Sequence, residues 1–291
     1  MPNSPSPTVL KRWIAFELRK LRENAGVTRD QAAKAVRGSE PGVGHFETGR
    51  SLPSALQLDK LLETYGVPER AEFFQRIRNQ AKKGKDWWIK FDFTGEVLPE
   101  YFKLFLGLES CAASIESFDA QLVPGLLQTD AYAEAVVRGI NPELPDDDVS
   151  RRVELRMARQ RQVLNRDGGA PVVWSVIHES VLRLQVGGSD VMREQLEYLI
   201  DVMKEPNVTV QVLPMAAGVH TGADGTFVYL QFPPELENDP GTVYVETRVK
   251  SYYYEQPAEI ADYRAALRRL QVQACKPEET EALLRELLKE S

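Results

Sequence analysis

The run Thr28-Arg29-Asp30-Gln31-Ala32-Ala33-Lys34-Ala35-Val36-Arg37-Gly38-Ser39-Glu40-Pro41-Gly42-Val43-Gly44-His45-Phe46-Glu47-Thr48-Gly49-Arg50 holds two short helices and the turn between them. Thr28 and Gln31 fit a capping box: the Thr28 hydroxyl caps a free amide while Gln31 reaches back to the cap residue. Ala32, Ala33 and Val36 give the first helix a short apolar face, and Gly38 breaks it. The next helix is expected after Ser39. Pro41 falls in its first turn, where a missing amide costs little. It runs to Glu47 and stops at Gly49. The small pair Ala32-Ala33 lets the two helices cross closely, with Val43 and Phe46 packing one on the other.

Working outward, Leu10, Ile14, Leu18, Leu21 and Ala25 recur at helical spacing, and Gly26 ends that helix. Downstream, Ser54 and Gln57 repeat the capping box. Leu58, Leu61, Leu62 and Tyr65 continue a fourth helix to Gly66. Pro68 to Ala81 reads as a fifth, with Phe73, Phe74 and Ile77 inward. Five short helices around a tight glycine-containing turn are the helix-turn-helix arrangement. In it the third helix lies in the DNA major groove, and the ends of its neighbours touch phosphates.

Charge supports that partner for one part of the chain only. The 291 residues carry a net charge of −7, which taken whole argues against nucleic acid. Residues 1–85, however, carry 16 Lys and Arg against 9 Asp and Glu, or +7. Residues 86–291 carry 20 against 34, or −14. The basic, Gly-broken run Lys82-Lys83-Gly84-Lys85 marks the boundary, so the domains are expected at 1–85 and 86–291. Trp87-Trp88 follows and is expected to anchor this linker on the second domain. Met1 to Thr8, rich in Pro and Ser, reads as a disordered arm and not a secretory signal.

The second part mixes patterns. Leu98, Tyr101, Phe102, Phe105 and Leu106 suit a helix. Ser114 to Phe118 alternates like a strand, Thr129 to Val137 reads as a helix, and Pro142 to Asp148 as a loop. Val149 to Asn165 is a charged helix whose thin apolar spacing predicts partial cover. Val172 to Ile177 is an apolar run like a central strand. A helix over Asp190 to Met203 follows, then strands at Val208–Val212, Phe227–Phe232, Val243–Val245 and Ser251–Tyr254. Helices at Glu259–Gln273 and Pro277–Lys289 close the chain. The fold class is thus an N-terminal all-α five-helix helix-turn-helix domain followed by a larger α+β domain.

Chemistry is thin. Cys111 and Cys275 are expected as free buried thiols, and no Cys/His spacing suits zinc. His178-Glu179 begins like a zincin motif, but Leu182 stands where a second ligand would be. His220 and Asp224 share a Gly-rich loop. They read either as a metal-binding or polarising pair, for a metal-dependent hydrolase, or as loop residues with Asp224 satisfying backbone amides. No P-loop, GxGxxG or GxSxG is present. No cofactor, metal or enzymatic activity is expected. No apolar run approaches the ~20 residues of a membrane span, and the expected location is the cytoplasm.

Two sets of residues carry a resemblance. Ile14 to Arg22, Gly26-Val27-Thr28 and Phe46-Glu47-Thr48-Gly49-Arg50-Ser51-Leu52-Pro53 resemble the XRE (lambda-repressor-like) helix-turn-helix family. Glu116 to Thr129, Arg151 to Arg161, Glu205 to Pro214 and Val243-Tyr244-Val245-Glu246 are similar to the acidic domain of actinobacterial WhiJ-like regulators. The resemblance implies a transcriptional regulator, often encoded beside a small partner protein in a toxin–antitoxin-like pair. By position, Arg29 opens the helix where the family often has a phosphate-binding Gln. Glu40, Pro41 and His45 fall where the family reads bases, and Arg50 near the backbone. Arg37 occupies a turn position where the family often has Gly.

The expected DNA-contacting set is Arg29, Lys34, Ser39, Glu40, Pro41, Gly42, His45 and Arg50. It contains neither a paired Arg or Lys for guanine nor an Asn or Gln for adenine on the third helix, so direct base readout is weak. The expected partners are operator DNA, a second copy of the chain on a palindromic site, and the small partner protein. The competing expectation is an antitoxin-like interaction module with weak or no specific DNA binding.

Overall fold

A computed structural model describes residues 6–91, 98, 100–166, 169–234, 236 and 239–290. The chain divides into two units, residues 3–90 and 91–291. In the first, α1 spans Pro7–Asn24 and opens on a proline, which is tolerated at a first helical position. The first two helical residues belong to the expected N-terminal arm; Met1–Pro5 lie outside the described residues. Leu10, Trp13, Ile14 and Leu18 bury one face of α1. Then come α2 (Arg29–Ala35), α3 (Glu40–Glu47) and α4 (Ala55–Thr64), followed by a 3₁₀ turn at Pro68–Arg70 and α5 (Ala71–Lys83). Both expected capping boxes form, at Thr28/Gln31 and Ser54/Gln57.

Two expectations need correction here. Lys82–Lys85 is not a free linker: α5 continues through Lys83, and Asp86 accepts hydrogen bonds from the Ser6 and Thr8 hydroxyls, the latter at 2.8 Å. Gly84 lies so close to Pro7 that a Cβ there would come within 2.7 Å of its ring. Trp87 and Trp88, expected on the second domain, fall in the first unit, edge to face with centroids 5.7 Å apart.

The second unit is built on a six-stranded mixed sheet, ordered β3-β2-β1-β4-β5-β6. The strands are β1 (Ser114–Asp119), β2 (Val172–His178), β3 (Val208–Leu213), β4 (Phe227–Gln231), β5 (Thr242–Glu246) and β6 (Ser251–Tyr254). β1, β2 and β3 are parallel, and β4 to β6 form an antiparallel meander beside β1. Parallel neighbours need helical crossovers. α7 (Asp130–Ile140) and α8 (Asp146–Leu164) connect β1 to β2; α9 (Glu179–Arg183) and α10 (Ser189–Val202) connect β2 to β3.

α6 (Glu100–Cys111) precedes the sheet, and α11 (Pro257–Gln273) and α12 (Pro277–Glu290) follow it. On one sheet face, Phe118, Val176, Leu213 and Phe227 pack against Ile260, Leu267 and Leu270 of α11. The outer edge of β3 is covered: Val212 N–H donates to Thr280 Oγ1, and Val212 C=O accepts from Cys275 N–H.

The expected loop Pro142–Asp148 is shorter than its composition suggests. α8 begins at Asp146, because three acids in a first turn complement the amino end of a helix. α8 is also more enclosed than thin apolar spacing predicts, since Arg159 turns inward to Glu109. Both cysteines are free, but Cys275 is only half-buried, not buried. No helix among the described residues is long and apolar enough to cross a membrane.

Candidate nucleic-acid interface

The turn between α2 and α3 sets the geometry. Gly38 N–H bonds to Ala33 C=O at 2.9 Å, and Arg37 N–H to Lys34 C=O at 3.2 Å. These two bonds are the Schellman closure of a helix, which requires one left-handed residue, usually Gly. That residue is Arg37, with φ 51°, and not the adjacent Gly38. Ser39 then caps α3: its Oγ accepts from Gly42 N–H at 3.2 Å. Val43 is buried beneath α3, while Glu40, Pro41, His45 and Thr48 are exposed on its outer side. Thr48 Oγ1 donates back to Gly44 C=O at 2.9 Å.

Glu47, 1% exposed at its side chain, locks three helices together. Its carboxylate accepts from Arg22 of α1 at 2.5 and 3.2 Å and from Arg29 of α2 at 2.9 Å. The bond to Glu47 is the main cause that raises the Arg22 pKa. This explains the Glu-Thr-Gly turn in physical terms: Glu47 is the clamp. Gly49, at φ 72°, then turns the chain where any Cβ would stand 3.8 Å from Ala15.

The expected contact residues therefore divide. Ser39 and Gly42 are joined to each other in the α3 cap. Arg29 is held by Glu47, although its side chain stays 42% exposed, and Lys34 is paired with Asp30 at 2.6 Å. Glu40, Pro41 and His45 share the exposed side of α3. Arg50 is exposed and shares an open cavity of about 450 Å³ with Lys11, Lys82 and Lys85. Sequence reasoning missed Arg37, which is exposed and makes no side-chain hydrogen bond or ion pair among the described residues. Its signal was present: an arginine stood where a turn calls for Gly.

In the second unit the pair His220 and Asp224 is not joined. His220 Nδ1 accepts from Gly222 N–H at 3.2 Å, so the histidine, and not Asp224, satisfies the loop amide. Asp224 is exposed. His178 Nδ1 likewise accepts from Ser180 N–H at 3.3 Å. Its ring centroid lies 5.5 Å from that of His220, and burial is the main cause lowering the His220 pKa. Among the described residues, no group of three or more His, Cys, Asp or Glu side chains is arranged to hold a metal ion.

A small all-helical unit with capped α2, a tight turn and an exposed third helix defines a helix-turn-helix domain, the class of DNA-binding regulators. Residues 13–73 match the family model described as "Helix-turn-helix domain". Residues 102–286, more than half the chain, match the one described as "Domain of unknown function (DUF5753)". The chain belongs to that family. None of the curated proteins and none of the solved structures matches it.

Proposed function

We propose that this chain is a transcriptional regulator whose first unit docks on an operator mainly through phosphates. The observation that carries the reading is the placing around α3 of cations that make no ion pair among the described residues. Arg37 stands before its amino end; Arg50 stands after its carboxyl end, with Lys11, Lys82 and Lys85 around it. The exposed side of α3 offers Glu40, Pro41 and His45, none of them a strong bidentate base reader. Affinity then comes from charge, and sequence preference from DNA shape and His45.

Binding to a duplex from upstream of its own gene tests this. The expected slope of log K against log salt is about −3.6 to −4.5 per protomer, for roughly four or five phosphate contacts shared among these cations. Loss of no affinity in an Arg37→Ala, Arg50→Ala double variant would refute the docking.

The second unit, in this reading, has no catalytic step. It dimerises, senses a signal or holds a small partner protein, as in WhiJ-like pairs. An open groove of about 650 Å³ in this unit supports an interaction role: Val219 and Val272, 94% and 85% exposed, lie along it beside Arg268 and Arg269. Molar mass by light scattering, with and without the neighbouring gene product, tests it; a monomer that ignores the neighbour counts against it.

A further inference from the structure

The open groove of the second unit has two walls, and the fold anchors both. One is the loop after β3, carrying Val219, His220 and Thr221; the other is the carboxyl half of α11, carrying Arg268, Arg269 and Val272. Thr221 Oγ1 ties the loop to α11 by donating to Ala266 C=O at 2.9 Å. The His220 ring stands edge-on to buried Phe118, with centroids 5.3 Å apart, and Gly222 packs against the same Phe118 ring. On the other wall, Leu267 and Leu270 are buried in the core, and Gln211 Nε2 of β3 donates to the Gln271 and Cys275 carbonyls at 3.3 and 2.9 Å. Val219 and Val272 are thus held out to water by anchored backbone.

The fold makes no use of this face. Val272 lies off the buried stripe of Ile260, Leu267 and Leu270 on α11, and a β-branched residue is a poor choice for an exposed helix position. Arg268 and Arg269 lie one turn before it on the same side of the helix. Neither forms an ion pair, and no carboxylate lines the groove, among the described residues. Residues 263–276 hold three arginines and one lysine with no acid, inside a part of the chain whose net charge is −14. Apolar side chains beside arginines are the make-up of a protein interface.

Charge selects the partner. A second copy docked groove to groove across a two-fold axis would set Arg268 and Arg269 against their own counterparts. A phosphate backbone gives exposed valines nothing to pack on, and the net charge of residues 86–291 repels it. An acidic protein surface with apolar side chains among its carboxylates satisfies both halves of the groove.

We propose that this groove is the docking surface for a small partner protein, which presents an acidic segment with apolar side chains at its centre. Its carboxylates meet Arg268 and Arg269, and its apolar side chains cover Val219 and Val272. The proposal rests on the reading of the second unit as the holder of a partner protein, and it assigns the surface that does the holding.

The test is titration calorimetry of the full chain with the purified product of the neighbouring small gene, at two salt concentrations. The wild type binds it, and affinity falls as salt rises. Arg268→Glu with Arg269→Glu weakens binding by about tenfold or more and flattens the salt dependence. Val219→Ser with Val272→Ser weakens it by about tenfold and leaves the salt dependence in place. All four side chains are exposed, so both variants keep the wild-type melting temperature. Arg151→Glu, an exposed charge reversal on α8, keeps wild-type binding. A neighbour that does not bind the wild type would remove the partner-holding reading and the proposal with it. A neighbour that binds the groove variants as tightly as the wild type would leave that reading standing and overturn the groove as its seat. So would an equal loss in Arg151→Glu, which would make the effect one of net charge alone. If the groove variants instead lower the molar mass of the chain by itself, the occupant is a second copy; if they change the salt slope of duplex binding, it is DNA. Either result overturns the proposal.

Discussion

Arg37→Gly separates stability from DNA affinity, and the two must move in opposite directions. Arg37 has φ 51°, and a side chain in that left-handed region costs roughly 1–2 kcal/mol. Glycine removes the cost but brings a looser unfolded chain, which takes back about 0.5–1 kcal/mol. The net expectation is a gain of roughly 0.5–1 kcal/mol, or about 3–6 °C for a transition of some 85 residues. Both turn hydrogen bonds are main-chain bonds and survive the change. The variant also loses an exposed, unengaged guanidinium beside α3. One lost phosphate contact makes the salt slope shallower by about 0.9 and weakens binding several-fold at low salt, on any duplex sequence.

The assays are calorimetry of the full chain and fluorescence anisotropy with a labelled duplex at four salt concentrations. Arg50→Ala serves as the control, losing slope without gaining stability. A more stable Arg37→Gly with an unchanged slope would show that the strained turn serves something other than DNA. A less stable one would show that the Arg37 side chain supports the turn and outweighs any backbone strain there.

Glu47→Ala leaves Arg22 and Arg29 without their shared carboxylate, and Arg22 is buried; urea unfolding should show a loss of about 3–5 kcal/mol. Asp119 is buried and its pKa is pushed up to about 7 by desolvation, above an ordinary value of 3.8. The folded state therefore holds a proton that the unfolded chain releases, so stability falls as pH rises between about 4 and 7. Asp119→Asn should flatten that window, by at most about 4 kcal/mol, in urea titrations at several pH values. Gly222→Ala would push a Cβ into the ring of fully buried Phe118; a loss of about 1–3 kcal/mol is expected in the same assay.

Short-range chemistry was the legible part of this chain. Thr28 and Ser54 are each followed three residues later by Gln, and both capping boxes close as that spacing requires. The strand expected at Val208–Val212 forms at Val208–Leu213, one residue longer. Illegible features depend on residues distant in sequence. Nothing near Arg29 announces that Glu47 will hold it. α9 escapes notice because five residues are too few for a helical period to emerge. The inward Arg156 and Arg159 defeat apolar periodicity altogether, since a buried charge counts there as an exposed one. Even the turn was half legible: the break after α2 was expected at Gly38, and it fell one residue earlier because the Schellman bonds fix which residue must be left-handed.

Pairing between distant residues also divides the charge in the first unit. A carboxylate at position 47 neutralises two arginines that hold α1, α2 and α3 in place, so those charges are spent on folding. Lys34 is likewise paired, with Asp30. Among the charges that folding leaves over for an anionic partner are Arg37 and the cations around Arg50. These stand at the two ends of α3 and not along its exposed side. On the proposed docking, a unit so arranged grips a duplex firmly before it distinguishes one sequence from another. On that reading, the sequence preference that remains comes from DNA shape and from His45.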